Sequence, residues 1–236
     1  MRSVDRDARV AGLWYLLLVV LGPFPLVVIP NMIFVPGNAP ATAHNIVTHQ
    51  MLFRAGILDI VICGVLEIFV ALALYRLFSG VDRGLAVALA ALGIVSVPIS
   101  FANELNSIGA LLSATGAAFF SAFAPAQREA TMMLFFNLHH YGNVFNEMFW
   151  GLWLLPFGIL VYKSGFLPKT LGVWLVLNCF AYVAQSVTGI LWPQYIETVE
   201  NFAFPVQFGE VAIMLWLVIM GARPTLSFAP RAPRVA

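Results

Sequence analysis

Charge is what this sequence has little of. Only 10% of its 236 residues are Asp, Glu, Lys or Arg, whereas a soluble globular domain carries about 25%. Hydrophobic residues make up 61% and the mean hydropathy is +0.91, which excludes an ordinary water-soluble fold. A net charge of +1 leaves no basic face for nucleic acid, so no nucleic-acid partner is expected. Cysteine is almost absent. Cys63 and Cys179 both fall inside apolar runs, where they read as small packing residues rather than an extracellular disulfide. Also missing are G-x-S-x-G, H-E-x-x-H, C-x-x-C and a phosphate-cradling glycine loop, so no catalytic residue and no cofactor is assigned.

Long hydrophobic runs take their place. About 20 apolar residues cross a bilayer as a helix. That rule places six spans near 9–30, 53–77, 84–108, 134–162, 168–191 and 204–222. The expected fold is an all-α polytopic bundle of six transmembrane helices, with residues 1–222 forming a single domain. Its surroundings are the lipid bilayer of the cell (inner) membrane. The prolines and arginines of 223–236 read as a disordered cytoplasmic tail. Arg2, Arg6 and Arg9 could open a signal peptide, but the apolar run Val10 to Ile29 is longer than a signal core. A retained first span is expected, bent in its outer half by Pro23 and Pro25. Residues 31–52 read as a turn and a short surface helix. The small-residue stretch 110–130 fits a loop, an interfacial helix or a re-entrant segment.

Orientation follows from the basic residues. Six crossings with both termini cytoplasmic put ten of the 12 Lys and Arg inside, leaving Arg54 and Arg128 outside. If 110–130 crossed the membrane, everything after it would flip against that bias.

Acids stand where charge is costly. Asp59, Glu67, Glu104, Glu147 and Glu210 lie within or at the rim of the spans, with only Arg54 near them. Ionisable groups inside a membrane face a protein interior or a wet cavity. Counting about 1.5 Å per residue from the basic inner ends puts Glu67 near mid-membrane, Asp59, Glu147 and Glu210 higher, and Glu104 at the outer rim. At about 100° per residue, polar stripes form on five spans. They are Asp59-Cys63-Glu67; Ser96-Ser100-Asn103-Ser107; His140-Asn143-Glu147 with Asn146 beside it; Asn178-Tyr182-Gln185-Gly189; and Gln207-Glu210. These faces are expected to meet around a cleft lined by Arg54, Asp59, Glu67, His139, His140, Asn143, Asn146, Glu147, Gln185 and Glu210.

Blander roles compete for each residue. Glu104 reads as a rim acid accepting a hydrogen bond, and Arg54 as a cation snorkelling to headgroups. His140 and Glu147 stand about 10.5 Å apart along a helix, too far to share one ion, so no metal site is expected.

Four segments carry a resemblance: RDARVAGLWYLLLVVLGPF, ATAHNIVTHQMLFRAGILDI, HHYGNVFNEMFWGLWLLPFGILVYKSGFLPKTLGVWL and PVQFGEVAIMLWLVIMG. Together they resemble a family of bacterial membrane proteins catalogued as domain of unknown function 4386. Arg54, Asp59, His140, Gly142 and Glu210 occupy positions associated with its motifs. The resemblance implies an integral membrane protein and no reaction. Span four departs from the family pattern after His140 through the polar Asn143, Asn146 and Glu147.

Three functions fit. The first is a pocket open to the extracytoplasmic side that binds or moves a small cationic or polar solute, or protons. The second is an intramembrane enzyme on a lipid-like substrate, with His140 as base and Glu147 or Asp59 orienting it. The third is a sensor or accessory subunit whose four histidines charge near pH 6.

Overall fold

The computed structural model describes residues 2–223, and the proposed tail of 224–236 lies outside them. All regular structure among the described residues is helical. Six helices are long and apolar enough to cross a membrane: Ser3–Ile33, Gln50–Phe78, Arg83–Thr115, Pro125–Lys163, Lys169–Leu191 and Pro193–Ile219. The protein is a multi-pass α-helical membrane protein.

The first span is α1 (Arg2–Leu21), a π-helical turn at Phe24–Val28 and α2 (Ile29–Ile33). Pro23 and Pro25 remove two amide donors from the ladder, and the wider turn forms where they stand. After Gly37, α3 (Ala39–Thr48) is a short helix capped by Asn38, whose side chain accepts from Ala41 N at 3.0 Å. The second span is α4 (Gln50–Phe78) and the third is α5 (Arg83–Thr115), opened by Asp82 accepting from Leu85 N at 3.2 Å.

The stretch 110–130 is the end of one helix, a short connection over 116–124 and the start of the next helix. Helix α5 runs on to Thr115, Gly116 closes it at φ 67, and α6 (Pro125–Leu152) begins nine residues later. Ser113 and Thr115 turn their hydroxyls onto the Gly109 and Leu111 carbonyls, both at 2.8 Å, so these polar side chains are satisfied within the helix. The fourth span continues through a break at Trp153 into α7 (Leu154–Lys163). Its 39 residues measure roughly 58 Å, about twice the hydrocarbon thickness. The distal part of α6 therefore rises beyond the bilayer core. Helix α8 (Lys169–Leu191) and α9 (Ile196–Ile219) complete the bundle.

The spans pack in a closed ring in chain order. Helix α1 meets α4, α4 meets α5, α5 meets α6, α6 meets α8, α8 meets α9, and α9 returns to α1. At the end that carries both termini, the ring is filled by Val70, Leu74, Phe78, Leu89, Trp153, Phe157, Leu160, Leu175 and Leu217. Backbones approach closely there. A Cβ on Gly158 would stand 2.6 Å from the Gly172 carbonyl, and the reverse holds as well. Ion pairs tie the same end: Arg9–Asp5 at 3.2 Å, Arg76–Asp7 at 3.2 Å and Lys163–Asp82 at 3.0 Å. Arg9 Nη1 also donates to the Val218 carbonyl at 3.0 Å, joining the first and last spans. A smaller cluster of Ile29, Ile33, Ile46, Phe53, Leu111 and Met132 seats α3 on the distal end. Outward faces expose Leu17, Val20, Leu58, Leu105, Phe145, Leu177 and Phe202, as lipid contact requires.

Candidate functional site

Between the packed end and the distal cap, the ring is hollow. A vestibule of about 510 Å³ lies between the first span, α4, α5 and α6, and a chamber of about 370 Å³ lies nearer the packed end. Pro25, Leu26, Ile60, Glu104 and Asn143 line both, so the two adjoin.

The chamber takes residues from all six spans. Glu67 on α4 accepts from the Ser96 hydroxyl of α5 at 2.6 Å. Glu210 on α9 accepts from the Tyr15 hydroxyl of α1 at 2.5 Å and from Asn178 Nδ2 of α8 at 3.4 Å. Tyr182 of α8 lines the same chamber. Ser100, Asn143 and Gln207 add neutral polar groups, and Trp150 and Trp153 add aromatic ones.

At the junction of the two cavities, Glu104 Oε2 lies 3.2 Å from His139 Nε2. Asn103 of α5 braces the same place, donating to the His139 carbonyl at 2.9 Å and to Asn143 Oδ1 at 3.0 Å. This bracing needs Gly142, because a Cβ there would overlap the Asn103 side-chain amide. The vestibule adds His140 and Asn137 to an otherwise mainly apolar wall. Among the described residues, three carboxyls and two imidazoles line the joined cavities, and no Lys or Arg does.

The sequence-read polar stripes do meet one another. Glu67 meets Ser96, Asn103 meets Asn143, Asn146 meets Ser100, Asn178 meets Glu210, and Gln185 meets Gln207. The site candidates divide accordingly. Glu67, His139, His140, Asn143 and Glu210 line the cavities. The others line neither. Asn146 is buried between helices, donating to Ser100 Oγ at 2.7 Å and the Ser96 carbonyl at 3.3 Å. Gln185 accepts from Gln207 at 2.7 Å, behind the chamber wall. Asp59 is buried and accepts from the Cys63 thiol at 3.8 Å. Glu147 is half-buried, with Oε2 enclosed and without a hydrogen-bond partner among the described residues. Arg54 is exposed at the distal end, where the Gln50 amide, turned with its oxygen toward the guanidinium, accepts at 3.0 and 3.2 Å. Tyr15, Ser100, Glu104, Tyr182 and Gln207 join the site without having been among the candidates. Ser100, Tyr182 and Gln207 already lay on the polar stripes. Glu104 was discounted by depth alone, and Tyr15 gave no signal inside its apolar run.

At the membrane edge of the packed end, Asp82 is held below the usual carboxylate range, first by the Lys163 ammonium that donates to it and then by the Leu85 amide. No group of three or more His, Cys, Asp or Glu among the described residues converges to hold a metal ion.

The fold defines a class: an α-helical membrane protein with six helices long and apolar enough to cross the bilayer. The chain belongs to the family described as Domain of unknown function (DUF4386), whose family model matches residues 10–221. It is similar to an uncharacterised protein of Archaeoglobus fulgidus, 27% identical over 159 residues, covering 67% of this chain and 79% of that one. No solved structure matches the chain.

Proposed function

We propose that the acid-lined cavity binds, and carries across or into the membrane, a small cationic or polar solute or protons. The observation that supports this reading is the charge of the joined cavities. Glu67, Glu104 and Glu210 line them, and His139 and His140 are the basic groups beside them. An intramembrane carboxyl is costly, and its presence marks a candidate functional site. A bound cation, or a proton passed between carboxyls, offsets that cost.

The basic residues supply the direction. Arg6, Arg9, Arg76, Arg83, Lys163, Lys169 and Arg223 stand at the packed end, and Arg54 and Arg128 at the distal end. The positive-inside rule then puts both termini in the cytoplasm and the vestibule on the extracytoplasmic side. In this reading, residues 1–222 act as one domain in the cell (inner) membrane. A thermal-shift panel of inorganic cations, putrescine and tetramethylammonium, with a proton-flux assay in liposomes, tests it. Stabilisation by at least one cation, or proton flux, is expected, and Glu67→Gln/Glu210→Gln removes the signal. Neither signal in the wild type would contradict the reading.

A second reading draws on the His139–Glu104 pair, 3.2 Å apart beside an apolar wall. A carboxylate that orients an imidazole next to a lipid-accessible cavity is suited to general base work on a lipid-like substrate. The base is then His139 rather than His140, whose ring packs edge-on to Tyr141 at 5.5 Å. Identical lipidomes from wild-type and His139→Ala strains would exclude this enzyme.

A further inference from the structure

The walls of the chamber narrow the chemistry of its ligand, an inference that rests on the cation-binding reading above. A volume of about 370 Å³ falls within the range of small-molecule sites and equals the liquid volume of roughly twelve waters. A bare metal ion or an ammonium ion fills little of it. The polar groups are not spread over the surface. Glu67 and Glu210 with Tyr15 form one polar group and Glu104 with Asn143 another where the vestibule joins, while Leu18, Val19, Leu26 and Val27 form an apolar side and Trp150 and Trp153 an aromatic one. A small inorganic cation would leave that apolar side against water. A ligand with an apolar body would cover it.

The two carboxyls are not equivalent. Glu210 is already satisfied by Tyr15 and Asn178, whereas Glu67 has the single donor Ser96. Glu67 therefore has the greater spare capacity for a new positive partner. The apolar side also reaches the lipid. Leu26 and Val27 line the chamber and are 45% and 53% exposed. They belong to the π-helical turn Phe24–Val28, where two prolines interrupt the regular ladder. At this place the wall is formed by side chains that are themselves exposed, in a segment with weakened backbone bonding.

We propose that the chamber takes an amphipathic organic monocation, one ammonium on an apolar or aromatic body, drawn from the bilayer past Phe24–Val28. Glu67 holds the ammonium, and the first span and the two tryptophans hold the body. The aromatic faces add cation–π attraction for an ammonium carried next to a ring.

Thermal shift of the full chain in nanodiscs, titrated with four probes, tests this. They are benzyltrimethylammonium, tetramethylammonium, potassium chloride and benzyl alcohol. Stabilisation by benzyltrimethylammonium is expected at a concentration at least tenfold below that needed for tetramethylammonium, with none from the neutral alcohol. Glu67→Gln is expected to weaken it at least tenfold. Leu18→Trp, which fills the apolar side and keeps both carboxyls, is expected to weaken benzyltrimethylammonium and spare tetramethylammonium. Equal response to the two ammonium ions would overturn the amphipathic assignment and leave the acidic pocket standing. Response to none of the cations would overturn both. Binding unchanged in Glu67→Gln and in Leu18→Trp would overturn the placement in this chamber.

Discussion

Glu104 Oε2 and His139 Nε2 face each other at 3.2 Å across the α5–α6 contact, where vestibule and chamber join. Glu104 is buried and His139 is half-buried, so water competes weakly for the pair. A double-mutant cycle of Glu104→Gln and His139→Gln in detergent is expected to show a favourable coupling. Polar pairs in membranes average about 0.6 kcal/mol and reach about 1.7. Strictly additive losses would mean that the pair does not interact.

The brace beside that pair depends on a missing side chain. Gly142→Ala places a methyl on the Asn103 amide that holds Asn143 and the His139 carbonyl. The expected cost is about 1–3 kcal/mol of stability, as for other overpacked sites. Asn103→Ser, added to Gly142→Ala, makes room and is expected to recover part of the loss. Unchanged unfolding of Gly142→Ala would contradict the close approach.

At the packed end, Asp82 does two jobs: it caps α5 and pairs with Lys163. Asp82→Asn keeps the cap and loses the ion pair, while Asp82→Ala loses both. The melting temperatures should therefore fall in the order wild type, Asn, Ala. The folded carboxyl is held low, so its contribution is complete at neutral pH. It is lost only as pH falls below the ordinary carboxylate value and through the lowered folded one. A wild-type minus Asp82→Asn difference that grew between pH 6 and 8 would contradict this sign.

Hydropathy made the six spans legible, because each needs about 20 apolar residues and each had them. The span ends were less legible. Helix α5 runs on to Thr115 through small residues and α4 starts at Gln50, so backbone bonding continues past the most apolar stretch that hydropathy marks. The meeting of the polar stripes was also readable, because helical periodicity fixes which residues share a face. Which of those faces reaches the cavity was not, since that depends on how each helix is rotated by its neighbours. Asn146 and Asn143 lie three apart on α6 and both bond α5, yet only Asn143 lines the chamber. Glu104 was placed at the rim by counting from Arg83. The count could not know that α6 starts at Pro125 and adds protein above it.

Orientation is open to direct chemistry. In a background without native cysteines, Ser121→Cys reports the distal connection and Gly80→Cys the packed end. An impermeant maleimide on intact cells is expected to label the first and spare the second. The reverse pattern would turn the vestibule toward the cytoplasm.

The central claim is that Glu67 and Glu210 line a ligand-accessible chamber inside the membrane. A hydrophobic carbodiimide such as dicyclohexylcarbodiimide adds to a protonated carboxyl reached through lipid and leaves a stable N-acylurea that peptide mass spectrometry locates. The expected result is an adduct on Glu67 or Glu210 that a saturating chamber cation suppresses. Adducts confined to exposed carboxyls such as Glu197 and Glu200, with both chamber glutamates unmodified, would contradict the account.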